Sequence, residues 1–177
     1  MRAFISYVLF ALLFCSATPA FAGGITNQDV VNAEKEWGEA IVAIGKAYQE
    51  GKDYESVAAE AIERLYAYGL QEVLFKPTKA ADQQFRPDKE SALSYFVGGV
   101  VPEDNGFALH PWSKVRFGDQ VIVVHGCDAL AQGNYYFTDS KTEQETEVEF
   151  TFGYIRDDQG RLRIFLHHSS LPYEPKH

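Results

Sequence analysis

An apolar stripe with helical spacing is the first long pattern after residue 26. Apolar side chains recur at steps of three and four residues from Val30 to Tyr48. Because this spacing puts them on one face of a helix, it predicts an amphipathic helix. Asn27 or Asp29 can cap its start, and we expect it to run to about Glu50.

A second, shorter stripe predicts another helix from about Tyr54 to Tyr68, which Gly69 ends. Two short elements follow it along the chain. The segment VLFKPT predicts a strand that is broken by Pro77, and the segment SALSYF predicts a short helix.

From Phe107 onward the pattern changes to the alternation that is typical of β-strands. Strands are predicted near Phe107–Phe117, Gln120–Asp128, Ala129–Thr138, Glu145–Arg156 and Leu162–Ser169. The pair Gly118-Asp119 and the segment DDQG at 157–160 predict tight turns. Helices followed by a meandering antiparallel sheet predict an α+β fold.

Alternation also assigns faces to the last two strands. In the last strand we expect the set with Ile164 and Leu166 to face the core. This places His168 at the rim of an interior pocket and His167 on the outer face. In the strand before it, Glu149 lies opposite the apolar set. Since a β-bulge would reverse that facing, Glu149 is either a pocket partner of His168 or a solvated acid.

The first 22 residues have the pattern of a signal peptide. One early cation, Arg2, precedes an apolar run over residues 5–14, and Ala20-Phe21-Ala22 fits a cleavage site before Gly23. The run is too short to span a membrane well. We therefore expect a signal peptide over 1–22, a single domain over 23–177, and an exported protein, periplasmic or secreted, without a membrane anchor.

Charge and cysteine content limit the kinds of partner and site. The formal net charge of −9 becomes −10 when Arg2 is removed with the signal peptide, which argues against nucleic acid as a partner. Cys127 is then the only cysteine left, so an intramolecular disulfide and a cysteine-rich zinc site are excluded. Its apolar surroundings predict a small buried residue.

The order of the elements and several short motifs resemble a known superfamily. The motifs are VLFKPTKA, SYFVGG, PWSKVRF, GNYYFTD, EFTFGYIRD and the ending HHS. Together they resemble the nuclear transport factor 2-like superfamily and, within it, exported bacterial relatives of the association (hub) domain of calcium/calmodulin-dependent protein kinase II. The resemblance implies N-terminal helices packed in the concave face of a strongly bent antiparallel sheet. It also implies a conical pocket and a homodimer through the outer sheet face. The kinase hub carries a pocket arginine where His168 stands.

Nine residues are candidates for contacts with an unidentified small molecule in that pocket. They are His168, Lys76, Tyr95, Trp112, Arg116, Asn134, Tyr136, Glu149 and Tyr154. Lys76 either attracts an anionic ligand or is a solvent-facing cation at a sheet edge. The aromatic candidates form pocket walls or plain core.

The paired histidines do not predict a metal site. Adjacent residues of a regular strand point apart, so His167 and His168 cannot readily bind one ion. No standard ligand spacing links them to His110 or His125. We therefore expect neither a metal nor another cofactor.

Three hypotheses for the function follow. The first is a small-ligand-binding protein with an unknown ligand and no catalytic residues. The second is an enzyme of the ketosteroid isomerase or polyketide cyclase type, with Glu149 or His168 as the base and Tyr154 or Tyr136 as the opposing donor. The third is a structural dimer with no ligand. The first is the expectation, and the fold alone does not decide between them.

Overall fold

The computed structural model describes residues 23–175, so the predicted signal peptide at 1–22 lies outside the described residues. Three α-helices precede most of the sheet: α1 (Asn27–Gln49), α2 (Tyr54–Leu65) and α3 (Lys89–Val97). Their N-caps are Thr26, Asp53 and Asp88, whose side chains each accept a hydrogen bond from a backbone N–H three residues on. None of the helices between residues 23 and 175 is long and apolar enough to cross a membrane.

Five strands form one open sheet. They are β1 (Leu74–Lys76), β2 (Trp112–His125), β3 (Asp128–Asp139), β4 (Glu145–Arg156) and β5 (Leu162–Ser170). Their order is β1-β5-β4-β3-β2. Strand β1 pairs with β5 in parallel, and the other neighbours are antiparallel. The α+β prediction is therefore confirmed, with a mixed sheet in place of a purely antiparallel one.

The turn predicted at Gly118-Asp119 is wrong. Strand β2 runs through both residues, and its register with β3 shifts between Gly118 and Val121, where Asp119 has a φ of 47°. These residues therefore form an irregularity within one long strand. The chain reverses instead at Gly126 and Cys127, where Gly126 has a φ of 65°. Cys127 is exposed in this turn, which corrects the prediction that it is buried. The segment Phe107–Leu109 is a 3-10 turn rather than a strand.

Helices α1 and α2 cover one face of the sheet, which we call the inner face; the opposite face is the outer face. Trp37 of α1 lies at the centre of the interior and is 2% exposed. Its ring meets Tyr135, Phe152 and His167 edge-on, with ring centroids 5.6, 5.6 and 5.5 Å away. The inner face is thus lined by aromatic rings, which surround the polar side chains that are buried there.

A β-bulge in β5 decides which side chains of that strand enter this layer. Ile164 pairs with Tyr154, but the next pair is Leu166 with Gly153, so Phe165 is an extra residue on β5. An extra residue reverses the alternation beyond it. His167 and Ser169 are consequently buried on the inner face. His168 is exposed on the outer face, so the predicted facing of the two histidines is wrong.

Candidate functional site

His167 lies buried among aromatic rings on the inner face. Its imidazole stacks on Phe75 of β1, with ring centroids 4.5 Å apart, and meets the edge of Phe152 at 4.4 Å. Its Nδ1 atom is 2.8 Å from the Tyr66 hydroxyl, and that hydroxyl accepts a 3.0 Å hydrogen bond from Trp37 Nε1. The Nε2 atom of His167 is buried without a hydrogen-bond partner among residues 23–175.

These contacts determine the state of the imidazole. Burial lowers the pKa of His167 well below its usual value, and the nearby His168 lowers it further. The ring is therefore neutral near pH 7. Because the Tyr66 oxygen already accepts from Trp37, we assign the Tyr66 O–H as the donor of this bond and the lone pair of His167 Nδ1 as its acceptor. That assignment leaves Nε2 as a buried N–H donor with no acceptor of its own.

Two hydroxyl groups lie beside this imidazole. Pro77 ends β1, and the next residue, Thr78, donates a 2.8 Å hydrogen bond from its Oγ1 to Ser169 Oγ on β5. Ser169 is two residues beyond His167 and so shares its face. The Lys76 ammonium donates to the backbone oxygen of Ser169 at 3.3 Å. Thr78 is only half-buried, so this end of the inner face is accessible.

Two buried tyrosines, Tyr95 and Tyr135, lie near these hydroxyl groups. Burial raises the pKa of Tyr135 above its usual range, while Ser169 and Thr78 act in the opposite direction through hydrogen bonding. Burial likewise raises the pKa of Tyr95. The Tyr95 hydroxyl has no hydrogen-bond partner of normal geometry among the described residues. Both phenols are therefore protonated at neutral pH and can donate.

We call these groups the core polar cluster; its members are Tyr66, Thr78, Tyr95, Tyr135, His167 and Ser169. All of its groups are uncharged near neutral pH, and aromatic rings surround it. In such an apolar setting hydrogen bonds to developing negative charge are much stronger than in water. The hydroxyl and imidazole N–H groups of the cluster are therefore suited to donate to negative charge that develops beside them.

A cleft of about 840 Å³ reaches one member of the cluster from outside. Tyr95 lies at its inner end, and Lys79, Trp112, His110 and Asp139 are among its walls. The cleft therefore connects solvent with Tyr95, and Lys79 in its wall follows Thr78 directly in the chain.

Five of the nine predicted site residues lie on the outer face. They are Arg116, Asn134, Tyr136, Glu149 and His168. Arg116 lies 3.7 Å above the Tyr136 ring and is paired with Glu145 at 2.7 and 2.8 Å. Asn134 donates to Glu147. The predicted entry of His168 into the interior pocket is thus corrected, because the bulge at Phe165 turns it outward.

Glu149, whose facing was open, is exposed on the outer face and accepts a 2.8 Å hydrogen bond from Ser170 Oγ. It shares a shallow concavity of about 630 Å³ with His168. Within the described residues no hydrogen bond or ion pair joins the Glu149 carboxylate to the His168 imidazole, and both side chains are exposed.

The other four predicted residues lie on the inner side or at its edge. Tyr95 belongs to the core polar cluster, and Trp112 lines the cleft. Lys76 is half-buried at Ser169. Tyr154 is fully buried, its hydroxyl lacks a partner within the described residues, and burial raises its pKa well above the usual value.

Sequence reasoning missed Tyr66, Thr78, Tyr135, His167 and Ser169. Thr78 and Ser169 lie in FKPTKA and HHSS, segments that the sequence pattern had marked for attention. Gly153 is the one signal for the inward turn of His167, because a Cβ at that position would lie 2.8 Å from Phe165 Cζ and 2.9 Å from Leu166 Cβ. Within residues 23–175, no group of three or more His, Cys, Asp or Glu side chains could hold a metal ion.

The chain is similar to a family of enzymes. Residues 28–171 match the family model described as metal-independent carbonic anhydrase. A protein of Nostoc sp. (strain PCC 7120 / SAG 25.82 / UTEX 2576) with the same name is 44% identical over 162 residues, which cover 89% of this chain and 78% of that protein. The crystal structure of the iota-carbonic anhydrase from a cyanobacterium, complexed with bicarbonate, matches with a TM-score of 0.82 and 42% identity, covering 86% of this chain and 95% of that one.

More distant structures share the fold. A putative dehydratase of the NTF2-like family from Streptomyces avermitilis matches with a TM-score of 0.55 at 14% identity, covering 83% of this chain and 96% of that one. The nuclear transport factor 2-like part of the sequence resemblance is therefore confirmed. The expectation of a small-ligand-binding protein without catalytic residues is wrong, because the relatives at 42–44% identity are named as enzymes.

Proposed function

Since the chain belongs to the metal-independent carbonic anhydrase family, we propose that it catalyses the reversible hydration of carbon dioxide to bicarbonate at the core polar cluster. One observation carries the assignment to this site: uncharged donors from β5, β3 and the Thr78 loop converge on the inner face. The bicarbonate complex named for the cyanobacterial relative supports an anion of this size as its ligand.

The walls of the site suit the substrate. Carbon dioxide is apolar overall and binds better among hydrocarbon and aromatic groups than a water molecule does. Phe75 and Phe152 enclose His167 on two sides. The hydroxyl and imidazole groups beside these rings offer hydrogen bonds to water, so both reactants can meet at one place.

The donors act on the charge that develops during hydration. Water attacks the carbon, a C–O bond forms, and negative charge accumulates on the oxygens that were the carbonyl oxygens. Because Ser169 accepts from Thr78, its own hydrogen can turn from Tyr135 to such an oxygen. His167 Nε2 supplies a second donor, since it is buried without an acceptor. Because these groups are already oriented, little reorganisation is needed as the charge forms.

A pair of adjacent serines tests the assignment to this site. Ser169→Ala removes a donor of the core polar cluster, whereas Ser170→Ala removes a hydroxyl that contacts Glu149 on the outer face. We expect Ser169→Ala to lower kcat for carbon dioxide hydration on the order of a hundredfold, as the loss of one oxyanion donor does. Ser170→Ala should leave it close to wild type. Stopped-flow hydration with a pH indicator measures both, and equal kcat values in the two variants would contradict the assignment.

Three further expectations stand as proposals beside this one. The outer face carries exposed Val121 and Val123 among its charged residues, which supports a homodimer through that face. Sedimentation equilibrium of a Val123→Glu variant tests it, and an unchanged mass would contradict it.

The pattern Ala20-Phe21-Ala22 supports export, which the mass of the mature chain tests. The finer likeness to the kinase hub domain rests on the sequence motifs alone.

A further inference from the structure

The hydration reaction releases a proton that the core polar cluster cannot keep. Carbon dioxide and water give bicarbonate and one proton, so the O–H bond of the attacking water breaks as its oxygen bonds to carbon. Tyr95 and Tyr135 already hold their protons, and burial disfavours a charged His167. If the proposed function is correct, as this inference assumes, the proton must pass to a group outside the core.

The cleft at Tyr95 contains an imidazole in a suitable position. His110 follows the 3-10 turn that precedes β2, and its Nε2 lies 2.7 Å from Asp139 Oδ2 at the end of β3. Its ring packs against Trp112, with ring centroids 4.0 Å apart. The side chain is 46% exposed, so it meets both the cleft and bulk solvent.

Asp139 holds this imidazole in one orientation and one tautomer. The backbone N–H groups of Thr142 and Lys141 are the main reason why the pKa of Asp139 falls to about 2, so its carboxylate is charged at any working pH. A carboxylate only accepts hydrogen bonds, so neutral His110 donates from Nε2 and keeps a lone pair on Nδ1. Asp139 then stabilises the ring after Nδ1 takes a proton.

Other titratable groups also face the cleft: Tyr48, Lys79, Tyr95, Glu103, Asp104 and Asp139. Asp104 is paired with Arg86 at 2.8 Å, and Glu103 accepts hydrogen bonds from backbone N–H groups of residues 81–83. Both carboxylates therefore already have a cation or backbone N–H groups as partners. Imidazole is the side chain type that most often relays protons in enzymes, and His110 supplies one among the residues that line the cleft.

We propose that His110, held by Asp139 in the cleft that reaches Tyr95, accepts the proton released at the core polar cluster and passes it to solvent. Water in the cleft carries the proton from Tyr95 to Nδ1. The new N–H bond replaces the O–H bond that broke, and buffer then removes the proton from the ring. In the dehydration direction, the same imidazole supplies the proton.

Substitution of His110 separates proton transfer from the steps at carbon. His110→Phe keeps an aromatic ring against Trp112 but cannot take a proton, and His110→Gln keeps a hydrogen-bond donor for Asp139. The matched control is His125→Phe, an exposed histidine at the end of β2 that does not line the cleft. The measurement is steady-state carbon dioxide hydration by stopped flow at increasing buffer concentration, with thermal unfolding to check the fold.

We expect both His110 variants to lose about a hundredfold in kcat at low buffer concentration, the lower end of what a positioned acid–base group contributes. The kcat/KM for carbon dioxide should stay at the wild-type value, and added imidazole should restore kcat. Variants with the kcat and buffer dependence of the His125→Phe control overturn the proposal. An equal loss in kcat/KM overturns it too, since that marks a structural role. If the wild type is active, these two outcomes contradict only the role of His110 and leave the proposed function intact. A wild type without hydration activity contradicts both the role of His110 and the proposed function.

Discussion

At the scale of single residues, His167 and His168 are adjacent in the chain and opposite in environment. His167 is buried with a lowered pKa, whereas His168 is exposed on the outer face. The unfolded chain can protonate His167 as the pH falls below its usual pKa, but the folded protein resists this. Stability that depends on His167 is therefore present above about pH 6.5 and is lost as the pH falls.

Glu34 of α1 has the opposite effect on stability. Its side chain is 1% exposed, Gln120 Nε2 donates to one carboxyl oxygen at 3.0 Å, and the other oxygen has no partner among residues 23–175. Burial raises the pKa of Glu34 from 4.5 to about 7. Between these two values the unfolded chain loses the proton and the folded protein keeps it, so rising pH destabilises the fold in this window.

The variant Glu34→Gln removes this titration while keeping the shape of the side chain. Relative to wild type, we expect its free energy of unfolding to gain on the order of 3 kcal/mol between about pH 4.5 and pH 8, because a raised pKa converts to stability at about 1.4 kcal/mol per unit. Urea unfolding across that pH range measures the difference. The control is Glu39→Gln on the exposed side of α1, and a Glu34→Gln profile that parallels it would contradict the assignment.

At the scale of elements, the bulge in β5 determines the composition of the site. Gly153→Ala would place a Cβ 2.8 Å from Phe165 Cζ and 2.9 Å from Leu166 Cβ, so the bulge must shift. We expect a loss of about 1–3 kcal/mol in the free energy of unfolding, typical of overpacking. A fall in carbon dioxide hydration should accompany it, because His167 and Ser169 follow the bulge. Denaturant unfolding and the hydration assay on the same samples measure both.

Gly118→Ala is the matched control in the same sheet. A Cβ there would meet Arg116 and Tyr136 only at 3.6 Å, an ordinary contact distance. Its stability and activity should stay near wild type. If Gly153→Ala behaves in the same way as this control, the bulge does not depend on the glycine, and the explanation for the inward turn of His167 is wrong.

The sequence predicts those helices and strands whose spacing of apolar and polar residues is regular along the whole element. The stripe on α1 and the alternation along β4 gave the helix and the buried set that includes Phe150, Phe152 and Tyr154. The bulge at Phe165 was missed because it arises from packing between neighbouring strands, which periodicity does not record. Beyond the bulge the alternation is reversed, so His167 and His168 lie on the opposite faces from those predicted. The predicted site therefore included His168 in place of His167.

Thr78 and Ser169 were missed for a different reason. Both lie in segments that the motifs had marked, but serine and threonine at strand ends are common and usually only bond to nearby backbone. In the same segments Lys76 and His168 have side chains that can be charged, so they were chosen as the candidates instead. Only the 2.8 Å contact between Thr78 and Ser169, across 91 positions of sequence, identifies the two hydroxyls as one site.

At the scale of the whole molecule, the sheet separates two kinds of surface. Its inner face holds uncharged donors within aromatic walls, and its outer face carries charged pairs such as Arg116 with Glu145. Under the proposed function, this division allows a strongly acidic protein to stabilise a small anion. The donors that act on it are neutral dipoles in the interior, where the negative charges of the outer face and solvent-exposed loops are screened by water.

The central claim is that this chain hydrates carbon dioxide at neutral donors of its interior and needs no metal ion. The most direct test is the hydration rate of the purified protein after exhaustive dialysis against a chelator, with metal content measured on the same sample. We predict catalysis above the uncatalysed rate that chelation does not reduce and that Ser169→Ala lowers about a hundredfold. A rate equal to the uncatalysed one, or a rate that chelation removes and added zinc restores, would contradict the claim.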